Sequence, residues 1–471
     1  MTPAEDTQGH ATTAGWHELL GPKNLGASTV LAGGVALYAT NEFLTISLLP
    51  STVAEIGGQR LYAWVTTVYL VASVVAATTV SAALTRMGPR WAYLGGLGVF
   101  GVGSALCAVA PSMEFLLLGR VVQGAAGGLL AGLGYAVINS ALPQSLWTKA
   151  SALVSAMWGV GTLLGPAAGG LFAQFDSWRW AFGLLAVLTT AMAALVPFAL
   201  PGRAVGVVRP AGDRIPVWSL ALLGTAALAI SVAGIPRNLA LTGGLLALGV
   251  GLVVVFLAVD RRTGASVLPP LAFRPGPLKW IYLTLGVMMA ATMADMYVPL
   301  FGQRLAHLTP VAAGFLGVSL AVGWTISEII SASLTKTRLI VTVVTAAPLV
   351  MAVGLGVAAL SQFEDASGLL VAVWVLALVI SGAGVGVAWP HLSAWAMGSS
   401  EDPAEGRTAA AAINTVQLIC GAFGAGLAGV VVNLTDGGDA TAARWLFATM
   451  ALLAAVGCAA SHRASRVRVS A

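Results

Sequence analysis

The chain has 471 residues, of which 58% are hydrophobic and 9% are charged, whereas soluble domains usually carry ~25% charged residues. Long apolar runs recur from Thr29 almost to the C-terminus, so the composition excludes a soluble protein. It predicts an all-α protein that crosses a membrane many times. The net charge of +5 does not indicate a nucleic-acid partner until the positions of the basic residues are considered.

Fourteen stretches are long and apolar enough to cross a bilayer as helices, which needs ~20 mostly apolar residues each. In chain order the predicted spans are 29–50, 62–84, 91–110, 114–138, 149–172, 180–200, 217–234, 239–258, 279–301, 310–333, 339–360, 367–390, 407–431 and 441–460. The expected organisation is a cytoplasmic N-terminal tail (1–28), an N-terminal six-helix bundle (29–200), a linker with two extra transmembrane helices (201–277), a C-terminal six-helix bundle (278–460) and a cytoplasmic C-terminal tail (461–471).

The basic residues predict how these spans are oriented. Of the 23 Lys and Arg, seventeen fall in segments on the side of the two termini, five fall on the opposite side, and Arg120 lies within a span. By the positive-inside rule, both termini are expected in the cytoplasm of a multi-pass protein of the cell membrane. The basic charge is therefore explained by topology, and no nucleic-acid partner is predicted.

The first span carries an acid within the membrane. Glu42 lies about 13 residues from the cytoplasmic start of its helix, so ~20 Å into an apolar core of ~30 Å. It stands eight residues before Pro50. Because an ionisable side chain at this depth is costly to bury and is more often functional than structural, Glu42 is a predicted site for a proton or a cationic substrate.

An internal repeat begins in the second span. The string SAALTRM at Ser81–Met87 returns 250 residues later as SASLTKT at Ser331–Thr337. Pro50 and Pro299 are separated by 249 residues. These offsets predict two similar six-helix halves around an inserted pair of helices. Such repeats place a substrate site between the halves, near the middle of the membrane.

Arg120 lies about two turns inside the fourth span, in Met113–Asn139. A guanidinium in hydrocarbon costs at least ~2.5 kcal/mol, so Arg120 should face the protein interior and an acid. Its depth of ~9 Å from the outer surface matches that of Glu42, which predicts an ion pair between them. Two interpretations remain open: protons and Arg120 compete for Glu42, or the pair is a permanent clamp between two helices.

Two further acids lie in the second half. Asp295 stands four residues before Pro299, which places it one turn from the position of Glu42 in the repeat, so it is predicted to face the same cavity. Glu328 lies near the cytoplasmic end of the tenth span, within reach of Lys336 and Arg338. For Glu328 a salt bridge or gate at the helix end is expected.

Several motifs then identify a family. Gly119–Gly128, with the sequence GRVVQGAAGG, resembles the fourth-helix motif of the major facilitator superfamily. The glycines around Gly165-Pro166 resemble the fifth-helix antiporter motif of its drug/proton exporters. Asn414–Gly424 resembles the late Asn- and Gly-rich span of the fourteen-helix branch.

Two positions depart from the pattern. Thr85 stands where the loop after the second helix usually carries an acid, which leaves the gating role of that loop open. Asn41 stands at the first-helix Asp of the family, with Glu42 beside it.

The resemblance and the embedded charges together yield a set of predicted functional residues. Proton coupling is assigned to Glu42, Arg120 and Asp295. Polar, aromatic and Met side chains suit flat amphipathic ligands, because they supply contact area without strict hydrogen-bond demands. The predicted substrate cavity is lined by Tyr38, Asn41, Tyr69, Gln123, Trp158, Met289, Met293, Trp324, Asn414 and Gln417. Gating is assigned to Arg86, Arg90, Gly161, Gly165, Pro166, Gly169, Gly170, Glu328, Lys336 and Arg338. The arginines and the lysine of this set are expected to bridge the two halves on the cytoplasmic face.

No enzyme motif is found in the sequence. It has no P-loop lysine and no HExxH, and His391 and Ser393 lack a nucleophile-elbow context. The predicted function is proton-driven export of amphipathic small molecules by alternating access, with a lipid or glycolipid exporter as the alternative and a non-transporting sensor or assembly protein as a third possibility. The expected partners are protons, substrates and membrane lipids. No cofactor, metal or catalytic residue is expected, and a monomer is expected.

Overall fold

The computed structural model describes residues 16–200, 215–236, 238–264, 266–400 and 402–469. Within these ranges all the regular secondary structure is helical. The expected tails and linker lie partly outside the described residues, as does Arg237 of the predicted tight pair. The α-helices are α1 (Trp16–Leu19), α2 (Leu25–Ile56), α3 (Trp64–Ala77), α4 (Val80–Ala108), α5 (Met113–Ala136), α6 (Ile138–Ala141), α7 (Trp147–Gln174), α8 (Trp178–Ala199), α9 (Val217–Val232), α10 (Leu239–Asp260), α11 (Leu278–Thr292), α12 (Val298–Ala306), α13 (Pro310–Ala332), α14 (Thr337–Leu360), α15 (Gly368–Met397), α16 (Pro403–Leu434) and α17 (Asp439–Val469).

Twelve helical segments of the described chain are long and apolar enough to cross a membrane. The two remaining predicted spans coincide with α2 and with the 16-residue α9. The prediction of a polytopic all-α membrane protein is therefore confirmed. The predicted second span, 62–84, comprises α3 and the first turns of α4, separated by a short turn at Thr78–Thr79, and the Ser81–Met87 string ends just before a break at Gly88.

Glycine and proline explain the two main interruptions of the helices. In α4 the backbone of Gly88 has φ 76° and ψ 170°, a conformation that L side chains rarely adopt, and Pro89 follows it. Between α11 and α12 the chain forms a 3₁₀ segment, Met293–Tyr297. Pro299 has no N–H to donate to the Asp295 carbonyl, which instead accepts from the backbone N–H of Val298. The predicted site residue Asp295 thus lies where the helix is locally tightened.

The helices form two halves whose two largest mutual contacts each involve one helix from either half. In the N-terminal half α2 packs against α5, α7 and α8, and α3 and α4 pack against α5. In the C-terminal half α13 packs against α15, α14 against α15 and α17, and α11 against α16 and α17. The halves meet where α7 packs against α13 and where α3 packs against α16. Helix α9 covers the second of these contacts, since it packs against both α3 and α16, and α10 packs on α9.

Candidate functional site at the interface between the halves

Below, the two ends of the molecule are called outer and inner according to the predicted topology. Arg120 on α5 is 1% exposed and is held by groups from three helices. Its Nε donates to the Val65 carbonyl at 3.2 Å, and its Nη1 donates to Asn41 Oδ1 at 3.3 Å and Gln123 Oε1 at 2.9 Å. The guanidinium also lies over the Tyr69 ring, 4.1 Å from the centroid. These neutral acceptors and the ring face compensate part of the cost of burying the cation.

The predicted salt bridge between Glu42 and Arg120 is not formed. Asn41, at the family's acidic position, contacts the guanidinium instead. Successive residues of an α-helix point about 100° apart, so only one of the two neighbouring side chains can face Arg120. Glu42 remains close enough to act on Arg120 electrostatically. The pairing prediction was therefore wrong in its contact, although it located the correct region of the helix.

A polar network extends from Arg120 to α4. Gln123 is fully buried, accepts from Arg120, and donates from Nε2 to Ser104 Oγ at 2.9 Å. Asn41 Nδ2 and the Tyr69 hydroxyl are buried without a hydrogen-bond partner in the described chain. Ser104 was missed from the sequence, because a serine inside an apolar span carries no signal of its own. The network fixes the direction in which Arg120 points.

The two embedded carboxylates come from opposite halves, and Glu42 lies close enough to influence Asp295 electrostatically. Glu42 lies on α2, and Asp295 lies in the 3₁₀ segment before α12. The charge of Glu42 interacts with that of Asp295, whose Oδ1 is buried without a hydrogen-bond partner among the described residues. Neither carboxylate forms a salt bridge in the part of the chain that the structure describes. The site thus holds one embedded acid from each half, and neither has a directly bound cation in the described chain.

Aromatic side chains line the N-terminal side of this site. The rings of Tyr38 and Tyr69 are stacked at 5.7 Å, and Trp158 meets Tyr38 edge-on at 5.5 Å. Gly127 makes room for the stack, since a Cβ there would lie 2.7 Å from Tyr38 and 2.8 Å from the Tyr69 hydroxyl. On the C-terminal side the predicted Met289 and Met293 are buried on the helical segment that leads to Asp295. Of the predicted residues on α16, Asn414 is exposed and Gln417 is half-buried.

A second aromatic and acidic cluster lies at the inner end of the C-terminal half. Trp324 and Trp389 have ring centroids 5.1 Å apart, and Trp324 Nε1 donates to Glu328 Oε2 at 2.9 Å. The salt bridge predicted between Glu328 and Lys336 or Arg338 is not formed. Both basic residues are exposed, and the indole one turn earlier on α13 occupies the carboxylate. Trp389 was missed because nothing in its sequence environment distinguishes it from a packing tryptophan.

The glycines of the fifth predicted span separate into two contact faces. A Cβ on Gly161, Gly165 or Gly169 would lie 2.5–2.6 Å from atoms of α2. A Cβ on Gly170 would lie 2.6 Å from Val311 of α13, in the other half. Helix α7 continues through Pro166. The motif therefore allows α7 to approach α2 and α13 closely at the same time.

Among the described residues, three hydrogen bonds join the halves at the outer end. Arg304 Nη2 donates to Gln59 Oε1 at 2.9 Å, Asn433 Nδ2 donates to the Arg60 carbonyl at 2.8 Å, and the Tyr62 hydroxyl donates to the Met296 carbonyl at 3.3 Å. Tyr62 also stacks on Tyr297 at 4.7 Å. These residues were not predicted, because polar loop residues show no periodic pattern.

At the inner end the predicted gating residues do not bridge the halves in this structure. Arg90 donates from Nε to the Leu200 carbonyl of its own half at 2.9 Å, and Arg86, Lys336 and Arg338 are exposed.

The buried pair Ser331 and His391 also lies at this end. The Ser331 hydroxyl donates to the Val387 carbonyl at 2.7 Å, so His391 Nε2, 2.9 Å away, must donate to Ser331 rather than remove its proton. The pair is not arranged like a nucleophile and its base.

Comparison with known proteins decides the family. The model of the Major Facilitator Superfamily matches residues 31–425. The chain belongs to this superfamily. A probable multidrug-efflux transporter of Mycobacterium tuberculosis is 63% identical over 466 residues, which cover 98% of each chain. The multidrug transporter protein MdtP of Bacillus subtilis is 26% identical over 83% of this chain and 72% of its own.

Solved structures of major facilitator transporters share the fold at low identity. A D-xylose-proton symporter superposes with a TM-score of 0.63 at 14% identity, covering 92% of this chain and 97% of the other. An inward-facing bacterial homolog of the lysosomal transporter Spinster superposes with a TM-score of 0.62 at 13% identity, covering 96% and 98%. This major facilitator chain is accordingly a multi-pass membrane transporter, not an enzyme, as the sequence predicted.

Proposed function

We propose that this transporter exports amphipathic small molecules in exchange for protons. The name of the 63% identical relative supports a drug as cargo. The observation that carries the proton-coupling part is the pair of carboxylates, Glu42 on α2 and Asp295 before α12, which belong to opposite halves and form no salt bridge among the described residues. Such a pair can bind what an exporter must exchange, namely a proton or a cationic substrate.

The coupling follows from the charge of the pair. Two ionised carboxylates in a medium of low dielectric repel each other, and a proton on either one removes most of that repulsion. Because Glu42 and Asp295 belong to different halves, protonation favours the arrangement in which the halves are close at this level. Loss of the proton favours separation. Proton binding and the position of the halves are then linked, and a bound organic cation can replace the proton.

Arg120 acts on the same equilibrium from one side. Its cation attracts the charge of Glu42 without contacting it, and the network through Gln123 fixes its position. Arg120 therefore favours the ionised form of Glu42 after the proton leaves. The aromatic rings of Tyr38, Tyr69 and Trp158 supply the surface for the apolar part of the substrate.

Alternating access is supported by where the halves are joined. Hydrogen bonds and the stack of Tyr62 on Tyr297 close the outer end, whereas Arg86, Lys336 and Arg338 stand exposed at the inner end. This arrangement suits binding of the substrate from the inner side of the membrane. In the opposite state, we expect the basic inner residues to bridge the halves.

The test is transport by purified protein in liposomes with an imposed pH gradient. Glu42→Gln should keep the fold and lose at least ~90% of gradient-driven export, because its side chain can neither bind nor release a proton. Asp295→Asn should reduce export of a cationic dye more than that of a neutral analogue if Asp295 binds the substrate charge, and both equally if it carries the proton. Glu114→Gln, at an exposed carboxylate outside the interface, is the matched control. Normal gradient-driven export by Glu42→Gln would refute the proposal.

A further inference from the structure

A basic and aromatic cluster, unrelated to the interface site, lies at the inner end of the C-terminal half. Here the first turn of α11 meets the last turns of α17. Arg463 of α17 places its guanidinium carbon 4.5 Å from the centroid of the Trp280 ring, and Lys279 places its Nζ 5.5 Å from the same centroid. Both cations are exposed, and the indole is half-buried. Two helices thus bring two positive charges to one ring.

The two cations of this cluster share one aromatic ring. The negative face of an indole attracts one cation readily, but two cations on the same ring repel each other. At the outer end, by contrast, Arg179 pairs with Glu55 and Arg304 with Asp439. Within the described chain neither Lys279 nor Arg463 forms a salt bridge. A group with negative charge would relieve the repulsion and use both sets of N–H donors.

The position of the cluster indicates which anion fits. By the predicted topology Trp280 lies two residues inside the cytoplasmic start of its helix, at the depth where indoles sit among lipid headgroups. The phospholipids of this leaflet include anionic ones, and a guanidinium fork matches the oxygens of a phosphate. We propose that Lys279, Arg463 and Trp280 form a binding site for the phosphate group of an anionic phospholipid of the inner leaflet.

A lipid bound there would connect two helices that serve different parts of the half. Helix α11 leads to Met293 and Asp295 at the interface, and α17 packs along α11 and α14. A phosphate held by one cation from each helix would link the inner end of α11 to the inner end of α17. The competing explanation is that the two basic residues serve only to orient the chain in the membrane.

The chain offers a matched control for that explanation. Arg261 and Arg262 follow α10 at the same end of the molecule, and both are exposed. Neither lies over an aromatic ring in the described structure. The double variant Arg261→Ala/Arg262→Ala therefore removes the same number of charges, from the same side, without touching the cluster. The variant Lys279→Arg/Arg463→Lys keeps both charges at the cluster.

The experiment measures lipid binding to the full-length protein in detergent, by native mass spectrometry and by thermal unfolding. Phosphatidylglycerol should bind and raise the Tm more than phosphatidylcholine with the same acyl chains. Removing both cations in Lys279→Ala/Arg463→Ala should weaken phosphatidylglycerol binding about 30-fold, which corresponds to ~2 kcal/mol. The charge-preserving variant and the Arg261→Ala/Arg262→Ala control should bind as the wild type does.

Three outcomes would overturn the proposal. The first is unchanged phosphatidylglycerol binding in Lys279→Ala/Arg463→Ala. The second is an equal loss in the Arg261→Ala/Arg262→Ala control, which would indicate a general effect of charge. The third is a Tm increase with inorganic phosphate alone that matches the increase with lipid, which would indicate a site for a free anion. A variant that fails to fold is recognised by its Tm without lipid, and Lys279→Gln alone then provides the test.

Discussion

Asn41 and Glu42 are neighbours in the sequence but face different partners. Asn41 accepts a hydrogen bond from Arg120, whereas Glu42 acts on both Arg120 and Asp295 without a direct contact. The resemblance to the family suggested that the acid has moved by one residue along the helix. In an α-helix such a move also rotates the carboxylate by about 100°, away from Arg120.

This rotation can be tested by moving the acid back. In Asn41→Asp/Glu42→Gln the new carboxylate would meet the Arg120 guanidinium directly and stay ionised as its salt-bridge partner. We therefore expect the double variant to fold at least as stably as Glu42→Gln, yet to remain without gradient-driven export. Liposome transport and the Tm of both variants provide the measurement. Recovered export would show that any acid on this part of α2 suffices.

At the scale of elements, a clamp at the outer end joins three helices of the N-terminal half. Glu55, just past the predicted first span, accepts hydrogen bonds from Arg179 and, at 2.6 Å, from Trp178 Nε1. Arg179 also donates to the Ala110 carbonyl at 3.0 Å. The clamp therefore links α2, the end of α4 and the start of α8. The hydrogen bond from Arg179, followed by that from Trp178, holds the pKa of Glu55 below its usual range.

The lowered pKa of Glu55 gives the clamp a defined pH dependence. Because the pKa is lower in the folded state than in the unfolded state, the clamp stabilises the fold above the unfolded pKa of about 4.3, and this stabilisation is lost as the pH falls through the folded value. Glu55→Gln should lower the Tm at pH 7 and have a much smaller effect once the pH falls below the lowered pKa of Glu55. Side chains that are 35% and 49% exposed are screened by water, so the effect should be small and should shrink in high salt. An equal Tm difference at both pH values would contradict this account.

The elements themselves were largely predictable from sequence, whereas their contacts were only partly so. Apolar length predicted a helical segment at each expected span because a bilayer favours that length, whereas the correspondence of Pro50 and Pro299 in the repeat stays a prediction. The break at Gly88 and the 3₁₀ segment around Asp295 required backbone geometry. The direction of Glu42 depended on one step of helix rotation, and the pairing of Glu328 with an indole depended on side-chain packing. Sequence spacing does not specify either of these.

At the scale of the whole molecule, backbone and polar groups bring the two halves into close contact at the outer end. Gly170 approaches Val311, and a Cβ on Gly314 would lie 2.9 Å from Ser47 Oγ. Gln59 and Asn433 supply hydrogen bonds between the halves. Each such bond contributes about 1 kcal/mol, so two of them bias the equilibrium between closed and open outer ends by roughly 30-fold.

Removing these bonds should open the outer end. In Gln59→Ala/Asn433→Ala, a reporter made by Ser47→Cys, which is buried between the halves, should react faster with a membrane-impermeant thiol reagent added from outside. A second reporter, Ser155→Cys, exposed on α7 toward the inner end, should react more slowly with a reagent from inside. Both reporters require replacement of Cys107, Cys420 and Cys458.

The matched control is His307→Ala/Asp365→Ala, which removes an exposed outer contact within one half and should leave both labelling rates unchanged. Unchanged labelling of Ser47→Cys in Gln59→Ala/Asn433→Ala would mean that the close approach of α7 to α13 at Gly170, rather than these hydrogen bonds, holds the outer end closed.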